Sequence, residues 1–157
     1  MASLEAGGRR FAVHRATQSD LAELVALLAD DVLRANRELD GPDRYAAAFR
    51  DIDSDPHQYL VVVRDADDGF VDTMQLTLIP GLARGGAKRL HREAVRLTPG
   101  IRGAGLGTAL FARAHGYGRA HGATLAQLTS DKARLDARRF YDRLDYKASH
   151  EGYKRAL

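Results

Sequence analysis

Cysteine is absent from the 157 residues of this chain. That removes disulfides, thiolate metal sites and cysteine nucleophiles together. Six histidines are present, His14, His57, His91, His115, His121 and His150, but none are spaced to grip a metal from one element, so no metal is expected. No apolar run approaches the ~20 residues of a membrane span. Met1 to Arg10 carries two arginines with no apolar stretch behind them, which is not a secretory signal, so a cytoplasmic protein without a membrane partner is expected. Repeats, linkers and low-complexity blocks are also missing. What remains, at 45% hydrophobic and 29% charged residues, has the size and composition of a single domain over residues 1–157.

The net charge of +3 conceals a division within the chain. Residues 1–80 hold 8 Lys and Arg against 15 Asp and Glu, a balance of −7, whereas residues 81–157 hold 16 against 6, a balance of +10. The basic half has no nucleic-acid motif and few aromatics between its arginines, so no nucleic-acid partner is expected.

Within that half stands Arg102-Gly103-Ala104-Gly105-Leu106-Gly107-Thr108, between a strand-like run, Glu93 to Leu97, and a helix-like run, Leu106 to His121. Glycines let a ligand approach the backbone, and the first helical turn offers N–H groups without partners. The helix dipole and Arg102 add positive charge, which together make a cradle for phosphate. A P-loop needs a lysine after its second glycine, but Leu106 follows Gly105. A dinucleotide fingerprint needs a glycine where Thr108 or Leu110 stands. The spacing that fits is R-x-x-G-x-G, read as Arg102, Gly105 and Gly107.

Periodicity supplies the remaining elements. Phe11 to Arg15 alternates as a strand, and Leu21, Leu24, Val25, Leu27, Leu28 and Val32 mark one face of a helix running to about Arg37. Tyr45, Ala48, Phe49 and Ile52 mark a second short helix. Tyr59 to Val63 and Phe70 to Ile79 form a hairpin across Asp65 to Gly69. His91 to Leu97 is a strand, Gly105 to His121 a helix capped by Gly122, Thr124 to Thr129 a strand and Leu135 to Leu144 a helix. Tyr146 to Ala148 and Tyr153 to Arg155 read as short final strands. The order β-α-α-β-β-β-α-β-α-β is that of a mixed α/β layer fold.

A second segment, Ala137-Arg138-Arg139-Phe140-Tyr141-Asp142-Arg143-Leu144-Asp145-Tyr146, follows the glycine loop. With R-x-x-G-x-G it resembles the GCN5-related N-acetyltransferase (GNAT) family, whose later segment reads A-x-x-F-Y-x-x-L-G-F. The resemblance covers roughly residues 91–148. It implies a mostly antiparallel central sheet flanked by helices and acetyl-coenzyme A as cosubstrate, whose phosphates suit the basic half. It implies direct acetyl transfer to a primary amine of a small molecule or peptide, since no cysteine can relay the group.

The resemblance also implies roles for residues. Val95 and Leu97 would pair with the pantetheine arm through their backbone, and Arg102, Gly103, Ala104, Gly105, Gly107 and Thr108 would surround the phosphates. Tyr141 would protonate the departing thiolate. The amine must lose a proton, for which Glu93 is the candidate base and His91 the reserve, both on one face with Val95 if the strand is regular. Arg134 stands where many members have asparagine, and Asp145 where they have glycine, which asks Asp145 to adopt a left-handed conformation.

For the acceptor, Asp40, Asp43 and Tyr45 would hold a cation, whereas Arg84, Lys88 and Arg89 would hold a carboxylate. A homodimer through His150 to Leu157 is a further expectation. The alternative function is a non-catalytic acyl-coenzyme A sensor or interaction module of the same fold.

Overall fold

A computed structural model describes residues 2–29, 41–97 and 105–156. The strands are β1 (Ala2–Ala6), β2 (Arg9–Arg15), β3 (Gln58–Arg64), β4 (Phe70–Ile79), β5 (Lys88–Leu97) and β6 (Ala123–Leu128). They form one sheet in sequence order, antiparallel from β1 to β5 and parallel between β5 and β6. A parallel neighbour needs a crossover, which α4 (Leu106–Ala120) supplies. Helices α1 (Leu21–Ala29) and α2 (Pro42–Ser54) precede β3, and α5 (Leu135–Arg143) follows β6. Between β4 and β5 the turn α3 (Ala83–Gly86) winds left-handed, with φ of 56° at Arg84 and 69° at Gly85.

Alternation along the strands sorts the core into two layers. Val61, Val63, Met74, Leu76 and Leu90 pack with Leu106, Leu110, Phe111 and Ala114 of α4. Val62, one residue out of phase, packs with Ala16, Leu24 and Phe49 on the α1/α2 side. Gly118, costly inside a helix by propensity, has a packing reason: a Cβ there would lie 3.0 Å from Leu90 Cδ2.

The mixed α/β fold with its mostly antiparallel sheet and flanking helices is as expected, and it departs from the expected element order at both ends. The first departure is β1, which pairs with β2 from Ala2↔Val13 to Ala6↔Arg9. Gly7 and Gly8, at φ of 56° and 72°, form the two-residue turn that suits a twisted hairpin. The second is that Tyr146 to Ala148 and Tyr153 to Arg155 form no strands.

The end of α5 gives the reason for the missing strands. Asp145 adopts φ of 62°, Tyr146 N–H donates to Tyr141 O at 3.1 Å, and Asp145 N–H donates to Asp142 O at 3.1 Å. This Schellman closure folds Tyr146 back against the core, so that residue is spent as an anchor. The tail beyond it is exposed and rich in charge. The part of the first helix expected beyond Ala29 lies outside the described residues.

Candidate active site

The pairing of β5 with β6 runs from Lys88↔Ala123 to Arg92↔Leu128, while β5 itself continues to Leu97. β6 ends at Leu128, so from Glu93 onward β5 has no partner strand on that edge among the described residues. At the same place β5 is irregular against β4: Gln75 pairs with Glu93, but the next pair is Thr73 with Arg96. Two residues, Ala94 and Val95, thus oppose Met74, and Ala94 takes φ of 52°, a value a residue with a Cβ rarely adopts. The bulge re-aims side chains. Val95 packs into the α4-side core, whereas Glu93 remains on the α1/α2 side with its partner Gln75. The expectation that Glu93 and Val95 share a face is therefore wrong, because it assumed a regular strand.

Gly105 caps α4 with φ of 77° and ψ of 0°. A Cβ on it would meet nothing within 4 Å, so the requirement for glycine is conformational and the space over it is open. Ala109 N–H donates to Gly105 O at 3.1 Å as the first bond of the helix. The N–H groups of Leu106, Gly107 and Thr108 therefore project from its end. Gly107 also has a packing role, beside the place in the loop expected of it. A Cβ there would lie 3.2 Å from Phe140 Cζ, so its lack of a side chain lets α5 seat against α4. Arg102, Gly103 and Ala104 lie outside the described residues. An open helix end beside the place where β6 ends fits a long ligand with phosphate at one end and an acyl group at the other. Leu106, Gly107 and Thr108 would hold the phosphates through their N–H groups, and β5 would hold the arm.

Tyr141 faces the sheet from α5, half-buried, with its ring stacked on Phe111 at 5.8 Å and 6.2 Å from that of Tyr146. Beneath both rings lies Arg92, the last β5 residue paired with β6 and only 3% exposed. Its guanidinium lies over the Phe111 ring, and Nη2 donates to Tyr146 Oη at 3.3 Å. Arginine can only donate, so Tyr146 keeps its own proton for another acceptor, and His115 Nε2 lies 2.7 Å from its hydroxyl. Burial, followed by repulsion from Arg92 and Arg119, holds the His115 pKa below its usual value, which keeps the ring a neutral acceptor. Burial pushes Arg92 itself down to about 10, against the opposing pull of Tyr146, Tyr141 and Asp72. Asp72 is fully buried on β4.

A second chain of contacts occupies the other face. Arg89 Nη1 donates to Gln127 Oε1 at 3.1 Å, which turns Gln127 Nε2 toward His91 Nδ1 at 3.3 Å. His91 Nδ1 must then accept, so its Nε2–H points to Glu93 Oε2, 3.7 Å away. Glu93 keeps a side chain 54% exposed, open to a substrate, and His91 stands behind it as a support. The site thus places Tyr141 and Glu93 on opposite faces of β5 at the point where β6 ends.

The residues expected around the acceptor divide. Tyr45 lines a cavity under α1 and α2, and Asp43 is exposed in the first turn of α2. Asp40 lies outside the described residues. Lys88 donates to His121 O at 2.8 Å and Arg89 to Gln127, so neither waits for a carboxylate. Near α5, Arg139 pairs with Asp136 and Lys132 with Glu151, which occupies two of the cations there. Arg92, Tyr146, His115 and Ala94 were not singled out from the sequence. Arg92 had one visible signal, since it falls in phase with the inward Leu90. Ala94 had none, because no residue type announces a bulge.

The acetyltransferase (GNAT) family model matches residues 24–146. A crystal structure of a transcriptional regulator from Bacillus halodurans C-125 is 39% identical, with a TM-score of 0.88, covering 94% of this chain and 99% of that one. Glucosamine-6-phosphate N-acetyltransferase from Arabidopsis thaliana shares the fold at 16% identity and a TM-score of 0.76, covering 94% and 98% of the two chains. A predicted acetyltransferase with acetyl-CoA from Clostridium acetobutylicum does so at 13% identity and 0.73, covering 94% and 96%. No curated protein matches. With its family model spanning most of the chain and its β5–β6 pairing ending next to a glycine-capped helix, the protein belongs to the GNAT acetyltransferase family.

Proposed function

We propose that the protein transfers an acetyl group from acetyl-coenzyme A to a primary amine by direct attack. The observation that carries this reading is the placement of Tyr141 and Glu93 on either face of β5 where β6 leaves it. The cosubstrate supplies an acetyl group activated as a thioester. Glu93 takes one proton from the amine, directly or through one water, so that the nitrogen lone pair is free to bond to the acetyl carbon. As the carbon–sulfur bond breaks, Tyr141 Oη gives a proton to the departing sulfur. Val95 and Leu97 hold the arm through backbone groups of β5, and Leu106 to Thr108 hold phosphate at the helix end with Gly105. Arg102, Gly103 and Ala104 complete that loop by the R-x-x-G-x-G resemblance.

Titration with acetyl-coenzyme A, followed by thiol release with a panel of amines, tests the reading. Tyr141→Phe should lower kcat by about 100-fold or more while binding stays nearly intact, and Glu93→Gln should lower kcat by a comparable factor. Unchanged kcat in Tyr141→Phe removes the tyrosine from the mechanism. A second reading, a non-catalytic acyl-coenzyme A sensor, is favoured by the name of the Bacillus halodurans relative, a transcriptional regulator. Saturable binding without release of thiol from any amine would select it. Pairing of two copies through the C-terminal residues and a cytoplasmic location remain proposals of the same reading.

A further inference from the structure

Helices α1 and α2 do not close fully on the sheet. Between them is an apolar cavity of about 170 Å³, walled by Leu24, Val25, Phe49, Ile52 and Leu60 and reaching Ala94. Its polar wall groups are already engaged: Thr73 Oγ1 donates to Val61 O at 2.9 Å, and Gln75 Nε2 donates to Gln58 Oε1 at 3.1 Å. No charged side chain is among the described residues that line it. The space is open on one side, and an apolar space of roughly 150 Å³ is enough for a benzene-sized group.

Position decides what enters. Ala94 is the bulged residue just past the end of the pairing with β6, and Glu93 precedes it, projecting from the same face opposite Gln75. A carboxylate beside an apolar chamber recognises an amine with an apolar body. A second ammonium inside the chamber would be buried with no partner.

We propose that this cavity receives the apolar group of the acceptor, so that the substrates are primary amines bearing one phenyl-sized or branched aliphatic group, with the nitrogen at Glu93. The proposal rests on the acyl-transfer reading and adds the acceptor class to it. It also departs from both acceptor chemistries expected from the sequence, because no cationic or anionic side chain considered there is among the described residues of the wall.

The test measures kcat/KM by thiol release from acetyl-coenzyme A with 2-phenylethylamine, 3-methylbutylamine, ethylamine and 1,4-diaminobutane. The two bulky apolar amines should exceed ethylamine by about 10- to 100-fold, and the diamine by at least as much. Ala48→Phe, which projects a ring into the cavity from α2, should cut the ratio of 2-phenylethylamine to ethylamine by about 5-fold or more. Its acetyl-coenzyme A titration serves as the check that the variant is folded. Turnover in which ethylamine or the diamine equals 2-phenylethylamine, or a ratio unmoved by Ala48→Phe, overturns the cavity's role and leaves acyl transfer standing. No thiol release from any of the four amines overturns the acyl-transfer reading, and the cavity's role with it.

Discussion

Arg64 and Arg92 lie on opposite faces of one sheet and are held in opposite ways. Arg64, with a side chain 13% exposed, donates to Asp20 at 2.9 Å, to Glu23 and to the Asp68 carbonyl at 2.8 Å. The two carboxylates, Glu23 first, raise its pKa above the ordinary arginine value. Arg92 has Tyr146 Oη as its hydrogen-bond acceptor, while Nε and Nη1 find none among the described residues. Burial there dominates and depresses the cation to about 10. The difference separates a charge that ties elements together from a charge whose burial costs stability. The first joins β3 to the start of α1, and the second sits under Tyr141 and Tyr146 where the pairing of β5 with β6 ends.

The largest effect that would sharpen this contrast is in Arg64→Met. It strips Asp20, 4% exposed, of its arginine partner, leaving a buried carboxylate that accepts hydrogen bonds from Thr17 alone among the described residues, and should cost about 3 kcal/mol by chemical denaturation. A smaller effect is reached by acid alone. Burial opposes ionisation of Asp20, but hydrogen bonds from Arg64 and from the Thr17 N–H and hydroxyl outweigh it and hold the carboxyl at about 2, against an ordinary 3.8. A lowered acid pKa favours folding above the unfolded value. Roughly 2 kcal/mol should thus be present above pH about 4 and drain away as the pH falls toward about 2, and Asp20→Asn should flatten that slope.

The smallest effect is expected in Arg92→Met. That change forfeits one hydrogen bond to Tyr146 and the attraction to Asp72 but regains the burial penalty, and should cost about 1 kcal/mol. A cost in Arg92→Met equal to that in Arg64→Met would erase the contrast.

Much of the fold was legible because it rests on alternation and on turn chemistry. The hairpin of β3 and β4 follows from a β-branched run and from Asp65, whose carboxylate accepts from the N–H groups of Asp67 and Gly69. The left-handed Asp145 was expected from its place after α5, and the structure agrees. Misreadings occurred where one residue served two purposes. Tyr146 has strand character by composition, yet the helix closure claims it. Gly107 was read only as part of a ligand motif, and the packing of Phe140 against it was not foreseen. The site was legible as residue types along β5 and α5 but not as faces, since the bulge at Ala94 is decided by tertiary pairing rather than by local preference.

The contact between Gly107 and Phe140 has a mechanical consequence. Phe140 precedes Tyr141 on α5, and Gly107 follows the cap of α4 by two positions, so the close approach at Gly107 ties the helix that carries the tyrosine to the capped end of α4. The capped helix end and the helix bearing the tyrosine are thereby kept at a set separation, like the jaws of a fixed gauge. A missing methyl group at Gly107 sets how closely α5 can approach the capped end of α4.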